Sequence, residues 1–112
     1  MNFEFLGLKD ISKIRELSNS LKRLDLSKND LVDIRPITNL ATLESLDLSQ
    51  NNISSIPDSF VQLKNVSFLD LSGNRILSIE ALNPLANLNN LRTINLSGNP
   101  ICNTIGYPAQ LF

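Results

Sequence analysis

Four stretches of this chain alternate aliphatic with polar residues, and the segments between them change to a three-residue aliphatic spacing. The alternating stretches read LKRLDLSKNDL, LESLDLSQNNI, VSFLDLSGNRI and LRTINLSGNPI; they begin at Leu21, Leu43, Val66 and Leu91, with starts 22, 23 and 25 residues apart. In the first, Leu24 and Leu26 alternate with Arg23, Asp25 and Ser27, the period-two pattern of a half-buried strand. Strands are therefore predicted near residues 22–27, 44–49, 67–72 and 92–97. The first return path carries Leu31, Ile34, Ile37, Leu40 and Leu43, a spacing that suits short 3-10 or extended turns with one edge inward. The second, through Ile53, Ile56, Phe60, Leu63 and Val66, holds an extra residue around Pro57. The third, from Ile76 through Ile79, Leu82, Leu85 and Leu88 to Leu91, adds one more three-residue step and leaves room for a helical turn or two.

A near-constant period in this range marks a solenoid. One strand per repeat, stacked in parallel, builds a continuous sheet, and the crossover rule for parallel strands makes the coil right-handed. Asn29, Asn51, Asn74 and Asn99 recur where each strand bends into its return path. There the backbone loses its ladder partners, and an amide, with donors and an acceptor, can satisfy groups on its own and on the neighbouring coil. The four asparagines are expected to form a buried structural ladder.

Aliphatics at the first, fourth, sixth and eleventh places of each copy, with Asn at the ninth, resemble the leucine-rich repeat. The likeness runs from Leu21 to Ile101 and is nearest the intracellular 22-residue type. It implies an α/β solenoid with a curved parallel sheet on the concave face and 3-10 or short helical segments on the convex face. It also implies a protein-interaction module.

The whole chain reads as a single domain: a capping coil over residues 1–20, four coils over 21–101 and a partial cap over 102–112. In the first, Leu8, Ile11, Ile14, Leu17 and Leu21 follow the return pattern, but Leu6 stands where the ladder would put Asn. Phe3 and Phe5 suit a short edge strand, and Asp10 could cap a helix through Ser18. The closing GNPICNTIGYPAQLF is similar to the cap of phosphatase-regulator, nuclear phosphoprotein and dynein-associated leucine-rich repeats. Asn99, Pro100, Ile101 and Tyr107 match it, whereas Pro108 stands where Arg is usual and the chain stops at Phe112, before the last cap strand. A shortened chain, a fragment of a longer protein and a natural chain whose tail lies on a partner all fit that ending. Bare solenoid ends would also permit self-association.

Composition narrows the function. At 112 residues and a net charge of −1, the chain has no basic excess to drive binding to nucleic acid or acidic membranes, and no apolar run reaches the roughly 18 residues of a membrane span. The start has Glu4 where a signal peptide would carry positive charge. Cys102 is the only cysteine, and the disulfide-bonded caps that the family resemblance implies for extracellular members are missing, which favours a reducing, cytoplasmic setting. The sequons at Asn52, Asn65 and Asn95 argue the other way, but a repeat that uses Asn and Ser at fixed places generates such triplets by chance. Asn95 in particular should lie on a packed sheet. There is no His, Cys102 has no companion at metal-ligand spacing, and Gly73 and Gly98 are explained by turns before ladder asparagines. No cofactor, no metal and no enzymatic activity are expected.

What remains is the exposed face of the sheet. Its outward positions are Arg23, Asp25 and Ser27, then Ser45, Asp47 and Ser49, then Phe68, Asp70 and Ser72, then Thr93, Asn95 and Ser97. With strands about 4.8 Å apart, Asp25, Asp47 and Asp70 form a file of carboxylates. Side-by-side like charge costs stability, so the file suits a basic protein or peptide partner, though Asp is also a frequent family filler here. Phe68 is an anchor-type residue; otherwise its ring folds over its own repeat. Four short strands offer only about 250 Å² of flat surface against about 800 Å² per partner in a standard interface, so flanking loops must contribute. Two other readings stay open: a substrate-selecting part of a larger enzyme complex, and a scaffold with no natural partner.

Overall fold

The computed structural model describes residues 20–103 together with Ile11 and Ile14. Four strands, β1 (Arg23–Asp25), β2 (Ser45–Asp47), β3 (Phe68–Asp70) and β4 (Thr93–Asn95), form one sheet in the order β1-β2-β3-β4. Every pairing is parallel, and equivalent repeat positions stand opposite one another: Leu24, Leu46, Leu69 and Ile94 are successive partners. The strands have three residues each where six were expected. Each coil must turn soon after its inward leucine pair, so the regular ladder gives way early to bonds such as Leu26 N–H to the Asp47 carbonyl at 2.8 Å and Lys28 N–H to the Ser49 carbonyl at 2.9 Å.

The return paths are built from 3-10 segments at Arg35–Asn39, Asp58–Gln62 and Ile79–Asn87, and a fourth follows at Pro100–Asn103. Three residues per turn places side chains at i and i+3 on one side, which is why a three-residue aliphatic period selects this helix. The third return uses its extra step as a longer 3-10 segment, with Pro84 inside it. Pro57 is extended and enters the second segment, accommodating the additional residue of that return.

One core runs the length of the stack. It contains all the aliphatics of the first return, the second return with Phe60 at its centre, and the inward leucines of β1, β2 and β3. Ile11 and Ile14 belong to the same core, with Ile14 N–H bonded to the Ile11 carbonyl at 2.9 Å, as the three-residue pattern of the first coil predicts. Leu91 and Ile94, in the fourth coil, are only partly buried. The proposed edge strand at Phe3 and Phe5, the helix capped by Asp10 and the cap from Ile105 to Phe112 lie outside the described residues.

The asparagine ladder is present, and its bonds repeat from coil to coil. Asn51 Nδ2 donates to the carbonyls of Leu26 in the coil before and of Leu48 and Ser49 in its own, while its Oδ1 accepts from Leu31 N–H. Asn74 repeats this with Leu48, Leu71, Ser72 and Ile53, and Asn99 with Leu71, Leu96 and Ile76. All four asparagines are buried. Immediately before each ladder asparagine the chain turns through a left-handed residue: Lys28, Gln50, Gly73 and Gly98 have φ of 58°, 55°, 67° and 74°.

Candidate protein-interaction face

Strand alternation puts the leucines inside and aims the intervening side chains at solvent. Across the sheet the register aligns Arg23, Ser45, Phe68 and Thr93 in one file and Asp25, Asp47, Asp70 and Asn95 in the next. Eight of the twelve outward positions read from the sequence are therefore brought together on one surface. Arg23, Phe68, Thr93 and Asn95 are exposed; Asp25, Ser45, Asp47 and Asp70 are half-buried. Phe68 retains 36% of its accessible surface, a large value for a ring with polar neighbours at Ser45 and Thr93 in register.

Two expectations about this face need correction. Ser27 and Ser49 do not belong to the open surface: they are 3% and 8% exposed. Each turns back to its aspartate, Ser27 Oγ donating to Asp25 Oδ1 at 2.6 Å and Ser49 Oγ to Asp47 Oδ1 at 2.7 Å. Asn95, read both as an outward position and as lying on a packed sheet, is exposed, and no further strand lies beside β4 among the described residues.

The aspartate file has a structural task that composition did not reveal. In each coil the Oδ1 of this residue accepts the backbone N–H and the hydroxyl of the serine two residues on: Asp25 from Ser27, Asp47 from Ser49, Asp70 from Ser72 and Asn95 from Ser97. The side chain thus stands in for a ladder partner as the strand ends, an Asx-type turn, and Asn95 performs the same task without charge. A carboxylate is not needed for the turn, so three negative charges in register are additional to it. The bonds land on Oδ1 in each case, which leaves Oδ2 of the three aspartates outside the turn.

A second line of cross-coil bonds lies where the return paths enter the strands. Asn90 Nδ2 donates to the Lys64 carbonyl at 2.6 Å, Asn65 Nδ2 to the Ala41 carbonyl at 3.2 Å and Thr42 Oγ1 to the Leu21 carbonyl at 2.7 Å. Sequence reasoning missed it. The available signal was a polar residue immediately before each repeat start, and Asn65 was read only as part of a sequon.

Among the described residues no group of three or more His, Cys, Asp or Glu is placed to hold a metal ion. No helix there is long and apolar enough to cross a membrane.

A four-stranded parallel sheet, 3-10 returns and a buried asparagine ladder define a leucine-rich-repeat solenoid. The leucine rich repeat family pattern matches residues 19–76, and a related one matches residues 65–88 and 90–110. The chain belongs to the leucine-rich repeat family. Geranylgeranyl transferase type-2 subunit alpha of Homo sapiens is 37% identical over 109 residues, covering 95% of this chain and 19% of the relative. Leucine-rich repeat-containing protein 51 of Bos taurus is 32% identical over 109 residues, covering 90% of this chain and 57% of the relative. The chain thus spans 19% and 57% of the length of these two relatives. Among solved structures, a chain of the Drosophila melanogaster SNF/U2A' complex superposes with a TM-score of 0.88 at 26% identity, covering 98% of this chain and 64% of that one. Internalin C2 of Listeria monocytogenes superposes with a TM-score of 0.78 at 33% identity, covering 88% and 41%.

Proposed function

We propose that the chain is a protein-interaction module that receives a protein or peptide on the open face of its sheet. The observation that carries this reading is Phe68. A ring held at the third strand of an otherwise polar face keeps 36% of its surface open there, and an aromatic side chain left open on such a face can serve a partner as an anchor. The similar Drosophila chain is part of a complex, SNF/U2A', which supports a protein-binding role for this fold. The charge balance gives no support to nucleic-acid or membrane binding.

Capture of partners from extract by the chain, run beside the Phe68→Ala/Asp70→Asn double variant and the control Leu77→Ala, tests the proposal. Leu77 is exposed but lies beyond the ladder, off the sheet face. A protein retained by the parent and the control, and lost by the double variant, supports the face; equal retention by all three overturns it.

The likeness to a transferase subunit, over 19% of that subunit's length, favours a second reading in which the module serves a larger enzyme. It would then select or position a protein substrate while chemistry proceeds elsewhere. Characterising the full gene product, with activity assayed with and without residues 21–103, separates the two.

A further inference from the structure

We infer that the chain pairs with a second copy of itself through the loop edge of the stack, where the chain has just passed each ladder asparagine, and not through the sheet face or the solenoid ends. The two most exposed large hydrophobic side chains among the described residues lie there: Leu77 keeps 71% of its accessible surface and Val32 60%. They hold the same repeat position. Asn52 donates its N–H to the Leu31 carbonyl and Arg75 to that of Ile53, so Val32, Ser54 and Leu77 follow in file along the edge, in the coils of β1, β2 and β3. The middle coil places an exposed serine at this position, so the fold does not need an aliphatic residue there.

The charges around the two aliphatics are set in opposition. Asp30 precedes Val32 by two residues as Arg75 precedes Leu77, and Arg35 follows Val32 by three as Glu80 follows Leu77. All four are exposed. A two-fold axis lying in the interface along the middle coil sets the coil of β1 against the coil of β3 of the other copy and keeps the order from sheet to return path. Asp30 then faces Arg75, Val32 faces Leu77 and Arg35 faces Glu80, twice over. Asp30, Arg75 and Glu80 enter no ion pair among the described residues, whereas Asp33 is already held by Arg35 and meets the uncharged Ser78. Ser54 and Ser55, at the axis, are small and uncharged, so the two edges can approach.

Magnitude makes the pairing weak. Asp58, exposed at the start of the second 3-10 segment, brings like charge to the axis farther along and limits the contact to these positions. Val32 and Leu77 stand two coils, about 10 Å, apart, and the footprint of about 200 Å² falls well below the roughly 800 Å² per partner of a standard interface. The dimer therefore forms only as concentration rises. Because the axis preserves the direction from sheet to return path, both sheet faces open the same way, and a dimer offers two of them side by side to a bivalent partner.

Sedimentation equilibrium of the full chain, taken up to about 1 mM, tests the pairing. The expected result is a monomer-dimer equilibrium that Leu77→Ser weakens at least about tenfold, with circular dichroism unchanged. Asp30→Arg and Arg75→Asp should each weaken it too, because each sets like charges opposite one another. Mixed in equal amounts, these two charge variants should recover the dimer, since every opposed pair in the heterodimer again has opposite signs. That recovery should vanish when both also carry Leu77→Ser. Phe68→Ala should leave the association unchanged. A chain that stays monomeric at the highest concentration, association indifferent to Leu77→Ser, charge variants that gain nothing on mixing, or a dimer lost in Phe68→Ala would overturn the inference.

Discussion

The thiol of Cys102 donates to the carbonyl of Leu96 at 2.7 Å, filling the place that a following coil's ladder asparagine fills elsewhere. The Leu26, Leu48 and Leu71 carbonyls each accept two amides, one from their own coil and one from the next. Leu96 accepts Asn99 of its own coil and then Cys102. The backbone makes a parallel adjustment. Asn52 and Arg75 donate their N–H groups to the Leu31 and Ile53 carbonyls, but Pro100 has no N–H, and Ile101 donates to Ile76 instead.

Removing that donor should be felt at the fourth coil. Cys102→Ala leaves the Leu96 carbonyl with only the backbone N–H and the amide of Asn99 and should cost up to about 1 kcal/mol, whereas Cys102→Ser keeps a third donor and should cost less. Melting temperatures of the two variants check the order, and a Ser variant no more stable than Ala would show that the thiol bond contributes nothing.

The ladder itself predicts a larger contrast between neighbours. Asn51→Leu strands the Leu31 N–H and removes a donor from the Leu26, Leu48 and Ser49 carbonyls, at roughly 1 to 3 kcal/mol for each buried group left unpaired. Asn52 is half-buried and contributes its backbone N–H to the Leu31 carbonyl, a bond that any residue except proline keeps. Urea midpoints should therefore fall far more for Asn51→Leu than for Asn52→Leu; coincident midpoints would remove the ladder's energetic role.

The left-handed turns couple two adjacent coils. A Cβ at Gly73 would lie 3.1 Å from Gln50 Cγ on a backbone with φ of +67°, so Gly73→Ala should cost about 1 to 2 kcal/mol. Gln50 already holds φ of 55° with a side chain, and Gln50→Gly relieves that strain while removing the clash. Gly73→Ala should consequently cost less in the Gln50→Gly background. A double-mutant cycle with no coupling would contradict the contact.

At low pH the exposed pair Asp33 and Arg35 should titrate late. The guanidinium and backbone N–H of Arg35 bond the Asp33 carboxylate, holding its pKa down to about 2 from 3.8. A depressed folded-state pKa means that the carboxylate contributes stability above its unfolded value near 3.8 and loses it as pH falls toward 2. Because both groups are solvated, the contribution is small. Carboxyl NMR shifts in the parent should place the Asp33 midpoint near 2, and in Arg35→Gln well above it.

Much of this protein was legible in its sequence because a repeat states each structural requirement four times. The alternation around Leu24, Leu46 and Leu69 fixed strand faces, the three-residue spacing fixed 3-10 returns, and an amide recurring at Asn29, Asn51, Asn74 and Asn99 could serve only a backbone that recurs with it. Tertiary structure decided what depends on neighbours. Ser27 and Ser49 share the outward parity of Asp25 and Asp47, yet the chain bends before their side chains emerge, so parity alone misassigned them. Asn65 and Asn90 became a second ladder only when stacking brought the Ala41 and Lys64 carbonyls within reach. Cys102 and Leu96, six residues apart, are joined because the Leu96 carbonyl takes from Cys102 the donor that the Leu26, Leu48 and Leu71 carbonyls take from the next coil, a condition that exists in the stack and nowhere in the spacing of residues along the chain.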